Sequence, residues 1–215
     1  MSKYLREPVN SLTHLIGAIL SVIGLIALTI KINFIERSFI DYIAILSFGI
    51  SMILLYSASA TYHSIICKDS VIKIFKKIDH SMIFVLITGS YAPLCLISLQ
   101  NSLGYSLFTA VLTCGIIGII FKFCWVTCPR WLSSAIYIGL GWFAIFAIYP
   151  LSKVLASTGL FLLVFGGVLY TIGGVIYALK KDKIKVGLFG THEIFHIFIM
   201  LGSLCHYLCV FFYVL

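Results

Sequence analysis

The sequence contains little charge and little proline. Of its 215 residues, 10% are Asp, Glu, Lys or Arg and four are proline, whereas 61% are hydrophobic and the mean hydropathy is +1.13. Soluble domains carry about 25% charged residues, so this composition excludes an ordinary soluble domain. The sequence predicts an integral membrane protein.

Acidic residues are scarcer than basic ones. Seven acidic and fifteen basic residues give a net charge of +8. In a soluble protein this balance would suggest nucleic acid, but the basic residues here lie between apolar runs, where they set topology and contact anionic headgroups. We therefore expect no nucleic-acid partner. The seven cysteines fall mostly within apolar runs, which indicates reduced thiols and no disulfide framework.

Apolar runs of about 20 residues occur seven times, which predicts an all-α membrane protein with a seven-helix transmembrane bundle. The predicted spans are roughly 10–30, 39–64, 79–99, 102–123, 131–150, 155–179 and 191–214. The connections are short, so residues 1–215 are expected to form a single domain. The basic start leads directly into a run long enough to span, so we expect it to be retained and not cleaved as a signal peptide.

The distribution of Lys and Arg predicts that the N-terminus is cytoplasmic and the C-terminus lies outside. In that orientation the outer side holds Lys31, Arg37 and Lys153, and the other twelve basic residues, including Lys122, lie on the inner side. Basic residues in short connections remain in the cytoplasm, which makes this orientation the expected one. The membrane is expected to be a bacterial inner membrane.

Ionisable side chains converge at one predicted depth. His63 ends the second span, Asp79 and His80 open the third, and His192 and His196 open the seventh. Ionisable groups at such positions are costly, usually face the interior of the bundle, and often mark function. The alternative is that they form a structural polar cluster that holds no metal.

Helical spacing suggests a metal site. His192 and His196 are four residues apart, about 40° around the axis, so they share a face. With His63 they supply three neutral nitrogen ligands, and a zinc site with three ligands and an open fourth position is the catalytic type.

Two further residues suggest how such a site would react. Asp79 would hold the zinc-bound water and accept its proton, although direct ligation is the alternative. Ser59, on the same face as His63, would donate to a developing oxyanion or bond back to its own helix.

Other polar residues near this depth are candidates for supporting the ligands. Glu7, Asn10 and His14 fall within about 60° on one face of the first helix. His80 and Glu193 are each adjacent in sequence to a proposed site residue. The letters of "HEIFH" also match the H-E-x-x-H zinc protease pattern, so an intramembrane protease with Glu193 as base and His63 as third ligand remains an alternative.

The sequence resembles the hemolysin III family, bacterial relatives of the progestin and adipoQ receptors, within a superfamily that includes alkaline ceramidases. The resemblance is carried by "EPVNSLTH" at the first helix, "SASATYH" at the end of the second, "KIDHSMIFVLITGSYAP" into the third and "HEIFH" at the seventh. These motifs span most of the chain.

The resemblance implies seven helices and a zinc ion near the inner face. It implies that His63, His192 and His196 bind the zinc, that Asp79 engages it through water and that Ser59 lies beside the site. It also implies a hydrolase arrangement, with membrane lipids as partners and a lipid amide or ester as substrate. A zinc-clamped sensor or receptor and a membrane-lytic protein are the alternatives. The fold does not decide among them, and the oligomeric state is not predicted.

Overall fold

The computed structural model describes residues 5–35, 37–179 and 189–215, and helices dominate them. The helices are α1 (Pro8–Asn33), α2 (Phe39–Ser64), α3 (Asp69–Pro93), α4 (Ser102–Cys124), α5 (Arg130–Gly141), α6 (Ile145–Val154), α7 (Ser157–Ala178) and α8 (Thr191–Cys209). A π-helical turn extends α3 through Leu94–Leu99, and another extends α8 through Val210–Val214. Within the described residues, seven segments are long and apolar enough to cross a membrane, which confirms the predicted seven-helix fold.

Helix starts are set by local chemistry. At α2, the Ser38 side chain accepts from the Asp41 N–H and the Asp41 carboxylate accepts from the Ser38 N–H, which forms a capping box. At α4, the Asn101 side chain accepts from the Gly104 N–H. At α1, Pro8 occupies the first turn, where its missing N–H costs no hydrogen bond.

Two spans differ in detail from the sequence-based boundaries. The helix of the third span begins at Asp69, well before the predicted start near 79, because "DSVIKIFKK" is an amphipathic helical extension too charged to count as apolar. Asp79 and His80 therefore lie well inside the helix. The fifth span is interrupted after Gly141 by a short 3₁₀ turn, Trp142–Ala144, which separates α5 from α6.

The bundle is held by close helix packing. Most contact occurs between α1 and α2, between α2 and α3, and between α7 and α8. The Phe84 ring of α3 lies against Gly118 of α4, where a Cβ would stand 2.2 Å from a ring carbon. Small residues allow such close approach within membranes, where packing replaces the hydrophobic driving force between helices. Large apolar side chains such as Ile19 and Ile23 remain exposed on the outer surface, as a lipid-facing surface requires.

The basic residue Lys122 lies within the predicted fourth span, roughly 102–123. It is in the last turn of α4 and is fully buried. Its Nζ donates to Ser133 Oγ at 2.5 Å and to Cys128 Sγ at 3.2 Å. These partners hold the end of α4 against the start of α5. All seven cysteines are free, as expected.

Candidate metal centre

The three predicted ligands meet at one end of the bundle, here called the histidine end, where α2 finishes and α8 begins. One ligand nitrogen from each of His63, His192 and His196 lies within 4.8 Å of the others. His63 and His196 are buried and His192 is half-buried. The His63 and His192 Nε2 atoms are 3.3 Å apart, close to the edge of a tetrahedron with Zn–N distances of about 2.0–2.1 Å.

Hydrogen bonds at the other ring nitrogen orient two of these ligands. His63 Nδ1 lies 2.6 Å from Glu7 Oε2, and a carboxylate accepts, so Nδ1 carries the proton. Thr13 Oγ1 donates its single proton to the Asn10 carbonyl, so it can only accept from His196 Nδ1 at 3.3 Å. Both bonds leave Nε2 with a free lone pair, which is the tautomer that binds a metal.

Glu7 immediately precedes α1 and links the first two helices. Its Oε2 accepts from His63 Nδ1 and from Asn10 Nδ2, the latter at 3.0 Å, and its Oε1 lies 3.5 Å from Arg6 Nε. The bond with His63 lowers the pKa of Glu7 to about 2 against the raising effect of burial. The carboxylate is therefore ionised at neutral pH and is positioned to polarise the imidazole.

Asp79 and Ser59 lie beside the three histidines. Both side chains are buried, Ser59 is a hydrogen-bond partner of Asp79, and both line the same cavity as His192 and His196. The four-residue spacing placed Ser59 on the His63 face of α2, and the structure shows that this face points to α3. Asp79 therefore lies in the wall of the same cavity as two of the three histidines.

The remaining candidates have separate positions. The His14 ring stacks on His196, with ring centres 3.6 Å apart, and neither of its nitrogens has a hydrogen-bond partner in the described part of the chain. His80 lines the cavity with its Nε2 4.0 Å from Asp79 Oδ2. Glu193 Oε2 accepts from the Gly190 N–H at 3.0 Å and so caps its own helix. This cap accounts for the presence of Glu193 in "HEIFH" without a role as the base of a zinc protease.

Sequence reasoning missed Thr13. Its position is visible in "EPVNSLTH", three residues after Asn10 and next to His14, but a threonine in an apolar helix usually bonds only to its own backbone. The contact with His196 depends on how α1 and α8 are rotated against each other. Spacing within one helix does not reveal that rotation.

A cavity of about 150 Å³ extends from the triad into the bundle. His14, Ser59, Asp79, His192 and His196 lie along it at the histidine end, and deeper in it the walls are mainly apolar. It follows α3 from Asp79 to Leu94, which corresponds to about 20 Å along a helix axis. The shape and lining suit a hydrocarbon chain whose polar end reaches the histidines.

The donor set fits zinc. Three neutral imidazoles with an open position and hydrogen-bonded outer nitrogens are typical of zinc sites that bind a further ligand. In such sites a carboxylate accepts from one imidazole nitrogen and leaves the other nitrogen for the metal. Glu7 bonds to His63 Nδ1 in this way. The same site would also accept iron or manganese, although nitrogen ligands bind both of these divalent ions less tightly than zinc.

Comparison with known proteins finds relatives over nearly the whole chain. A family model described as "Haemolysin-III related" matches residues 2–207. Hemolysin-3 of Bacillus cereus is 39% identical over 216 residues, covering 100% of this chain and 95% of that protein. The Hemolysin-3 homolog of Bacillus subtilis (strain 168) is 38% identical, covering 97% of this chain and 94% of that protein.

A more distant relative connects the chain to eukaryotic receptors. The ADIPOR-like receptor IZH2 of Saccharomyces cerevisiae is 26% identical over 225 residues, covering 94% of this chain and 69% of that protein. Together with the seven membrane-spanning segments, these matches identify an integral membrane protein. The chain belongs to the haemolysin-III-related family.

Proposed function

We propose that the protein is a zinc-dependent membrane hydrolase that cleaves an amide or ester bond of an acyl lipid. The observation that carries the proposal is the position of the histidine triad beside Asp79 in the wall of a long, mainly apolar cavity. A purely structural metal site would have no need of a carboxylate or of a cavity at its open side. A lipid carbonyl reaching this end of the cavity would meet the triad, the carboxylate and a hydroxyl together.

His63, His192 and His196 would hold the zinc, and Glu7 and Thr13 would fix the rings of His63 and His196. Zinc held there would supply a Lewis acid for a carbonyl oxygen and would increase the acidity of water. Asp79 accepts a proton at its carboxylate oxygen from the water that attacks the acyl carbon, and it returns that proton to the leaving nitrogen or oxygen as the amide or ester bond breaks. Ser59 donates to Asp79 in the resting site and to the carbonyl oxygen as negative charge develops there.

The buried surroundings strengthen these interactions. Ser59 and His63 are each 2% exposed and His196 is 1% exposed. Charge–dipole interactions are stronger where water is excluded and the local dielectric is low. The apolar depth of the cavity would take the acyl chain, so that binding energy from the chain positions the carbonyl at the triad. We expect this end of the bundle to face the cytoplasm.

The first experiment is elemental analysis of purified protein with and without changes in the triad. We expect about one zinc per chain, and loss of zinc in His63→Ala, His192→Ala and His196→Ala. His206→Ala is the matched control, because His206 bonds to the Leu163 carbonyl at 3.2 Å and is not a member of the triad. Folded protein that binds no zinc after reconstitution, or equal loss in the control, would contradict the proposal.

Turnover is measured next, with N-acyl and O-acyl lipids that carry a fluorescent chain. Zinc-dependent release of the free acid is the expected result. The alternative of a receptor is suggested by the name of the yeast relative, the ADIPOR-like receptor IZH2. Saturable lipid binding by zinc-loaded protein without release of product from any amide or ester would favour the receptor.

A membrane-lytic pore has less structural support. The end of the bundle opposite the histidines is filled by buried side chains such as Leu28, Ile32, Phe48 and Val210. A water-filled pore needs polar faces along the full length of several helices. Leakage from liposomes that persists when all three histidine ligands are replaced would favour lysis over hydrolysis.

A further inference from the structure

One face of α5 changes in character from the histidine end toward the interior. Arg130, Ser134, Ile138 and Gly141 are spaced by four, four and three residues, so they share a helical face. Ser134, Ile138 and Gly141 line the main cavity. Arg130 lines a small recess next to it. The face therefore presents a guanidinium, then a hydroxyl, then apolar surface.

The recess adjoins the metal centre. It is formed by Arg130, Tyr177, Thr191 and His192, and both Tyr177 and His192 also line the main cavity. Since His192 is a member of the triad, a molecule bound at the histidines lies next to the recess. The Arg130 guanidinium carbon stands 5.7 Å from the centre of the Tyr177 ring. This aromatic contact orients the guanidinium and leaves its N–H donors available.

Arg130 has a positive environment. In residues 5–35, 37–179 and 189–215, no carboxylate oxygen lies within 4.0 Å of its nitrogens. The nearby carboxylates have other contacts, since Glu193 caps α8 and Asp79 pairs with Ser59. Lys122 Nζ donates to Ser133 Oγ near the start of α5, the helix of Arg130. A ligand group at the recess would be attracted if it were an anion.

Ser134 places a buried hydroxyl group in the wall of the cavity. Its side chain is 3% exposed and lines the cavity, yet its Oγ has no hydrogen-bond partner within the described residues. The adjacent Ser133 contrasts with it, because Ser133 Oγ is bonded to Lys122 and Cys128. Buried hydroxyls are nearly always paired, so Ser134 is positioned for a polar atom that enters the cavity.

We propose that the substrate is an acyl lipid whose headgroup carries a phosphate, and that Arg130 binds the phosphate while Ser134 donates to an oxygen of the lipid backbone. This inference rests on the proposed hydrolase and adds its substrate class. Arg130 and Ser134 are separated by about 6 Å along the axis of α5, which a glycerol unit between phosphate and acyl ester can span. The acyl chain then follows Ile138 and Gly141 into the cavity.

Arginine suits this role better than lysine. Its planar guanidinium can donate two parallel hydrogen bonds to phosphate oxygens, whereas the ammonium of lysine acts as a point charge. The site would distinguish a phosphate-bearing lipid from a neutral diacylglycerol or ceramide with similar chains. Discrimination would arise before chemistry, in the binding step.

Binding can be measured with a single tryptophan in the cavity. Trp142 lines the cavity, whereas Trp125 and Trp131, the other two tryptophans, are exposed on the surface. In a Trp125→Phe, Trp131→Phe background, zinc-loaded protein in uncharged detergent is titrated with dioctanoylphosphatidic acid and, separately, with dioctanoylglycerol. The dissociation constant is taken from the change in Trp142 emission.

The expected result is a dissociation constant for the phosphate lipid that rises at least about tenfold in Arg130→Gln and less in Arg130→Lys. The constant for dioctanoylglycerol should not change. Lys73→Gln, which removes an exposed basic side chain of α3, is the matched control and should change binding less than twofold. Equal effects of Arg130→Gln and Lys73→Gln, or equal wild-type affinity for the two lipids, would overturn the inference.

Free phosphate is tested in the same assay. Inorganic phosphate should not displace the phosphate lipid at comparable concentrations, because the acyl chains supply most of the binding. Displacement would show that the recess takes free phosphate, and the lipid assignment would be lost. The dissociation constants for the phosphate lipid and for dioctanoylglycerol are also compared in Asp79→Asn, because binding can be measured without turnover. If the hydrolase proposal fails, the failure appears separately, as missing zinc or missing product in the wild-type protein.

Discussion

At the end of the bundle opposite the histidines, charged and polar side chains bind main-chain carbonyls or close helix ends. Lys31 donates to the Phe211 carbonyl, Arg37 to the Val214 carbonyl at 3.5 Å, and Gln100 to Asp41 at 3.1 Å. At the histidine end, several polar side chains bond to one another beside a cavity. The first pattern joins helices, whereas the second leaves ligand nitrogens and a carboxylate facing open space.

The two ends show two uses of polar side chains in a membrane protein: one holds helices together, and the other lines a site. Polar groups in an apolar surrounding are costly unless they are paired, and both ends meet that requirement in most of their contacts. Only the histidine end, within the described residues, directs the Nε2 atoms of two rings at each other across 3.3 Å. His63 Nε2 carries no proton there, so its lone pair can accept from His192 Nε2–H or bind a cation.

The largest expected effect is produced by removing the metal. If zinc binds only the folded state at about 1,000 times its Kd, it stabilises by about 4 kcal/mol, which corresponds to a fall in Tm of about 10 °C when it is removed. Chelation followed by thermal denaturation in detergent measures this shift. His192→Ala protein should show no shift with chelator, and an unchanged Tm in chelated wild-type protein would contradict a metal that joins α2 and α8.

Replacement of the proposed base should abolish most turnover without removing zinc. Asp79→Asn keeps the size and much of the hydrogen bonding of the side chain but cannot accept the proton, so kcat should fall by about 10²–10⁴. Zinc content and Tm are measured in parallel. Full activity in Asp79→Asn would assign the proton transfer to another group, and simultaneous loss of zinc would instead indicate that Asp79 is a ligand.

A smaller effect, on metal affinity, is expected from replacing Glu7, which bonds to His63 Nδ1. Glu7→Gln weakens the polarisation of the imidazole, and such changes typically reduce metal affinity about 10–100-fold. The affinity is measured by competition with a zinc chelator of known strength. Glu193→Gln is the matched control, because the same chemical change there weakens only the cap of α8. Equal loss of affinity in both variants would remove the special role of Glu7.

Much of this arrangement was predictable from local sequence rules. Seven apolar runs predicted seven spans, and the structure and family comparison confirm a seven-helix membrane protein. Four-residue spacing placed His192 with His196 and Ser59 with His63, because side chains four apart share a helix face. Alternation of direction along the chain then brought these faces to one end of the bundle. Each of these inferences needs only periodicity and the thickness of a membrane.

Other features depend on how helices rotate against one another. The bond between Thr13 and His196 and the burial of Lys122 between α4 and α5 have no periodic signal. A lysine at the end of an apolar run is expected at the membrane surface. The two neutral partners that bury Lys122 are six and eleven residues farther along the chain. The cavity likewise results from spaces between several helices. Tertiary contacts of this kind become visible only in three dimensions.

The smallest predicted effect concerns Asp41, at the end of the bundle opposite the histidines. Asp41→Ala removes the carboxylate that accepts from the Ser38 N–H and from Gln100, while the bond from the backbone N–H of residue 41 to Ser38 Oγ remains. Loss of capping bonds costs about 0.5–2 kcal/mol. We expect Tm to fall by a few degrees, measured in detergent by the fluorescence of buried residues. Zinc content and turnover should remain at wild-type levels, because Asp41 lies at the opposite end of α2 from His63. If Asp41→Ala lowered zinc affinity as strongly as Glu7→Gln, the two ends would be coupled through α2, and the polar contacts of the far end would have to be counted as part of the metal site.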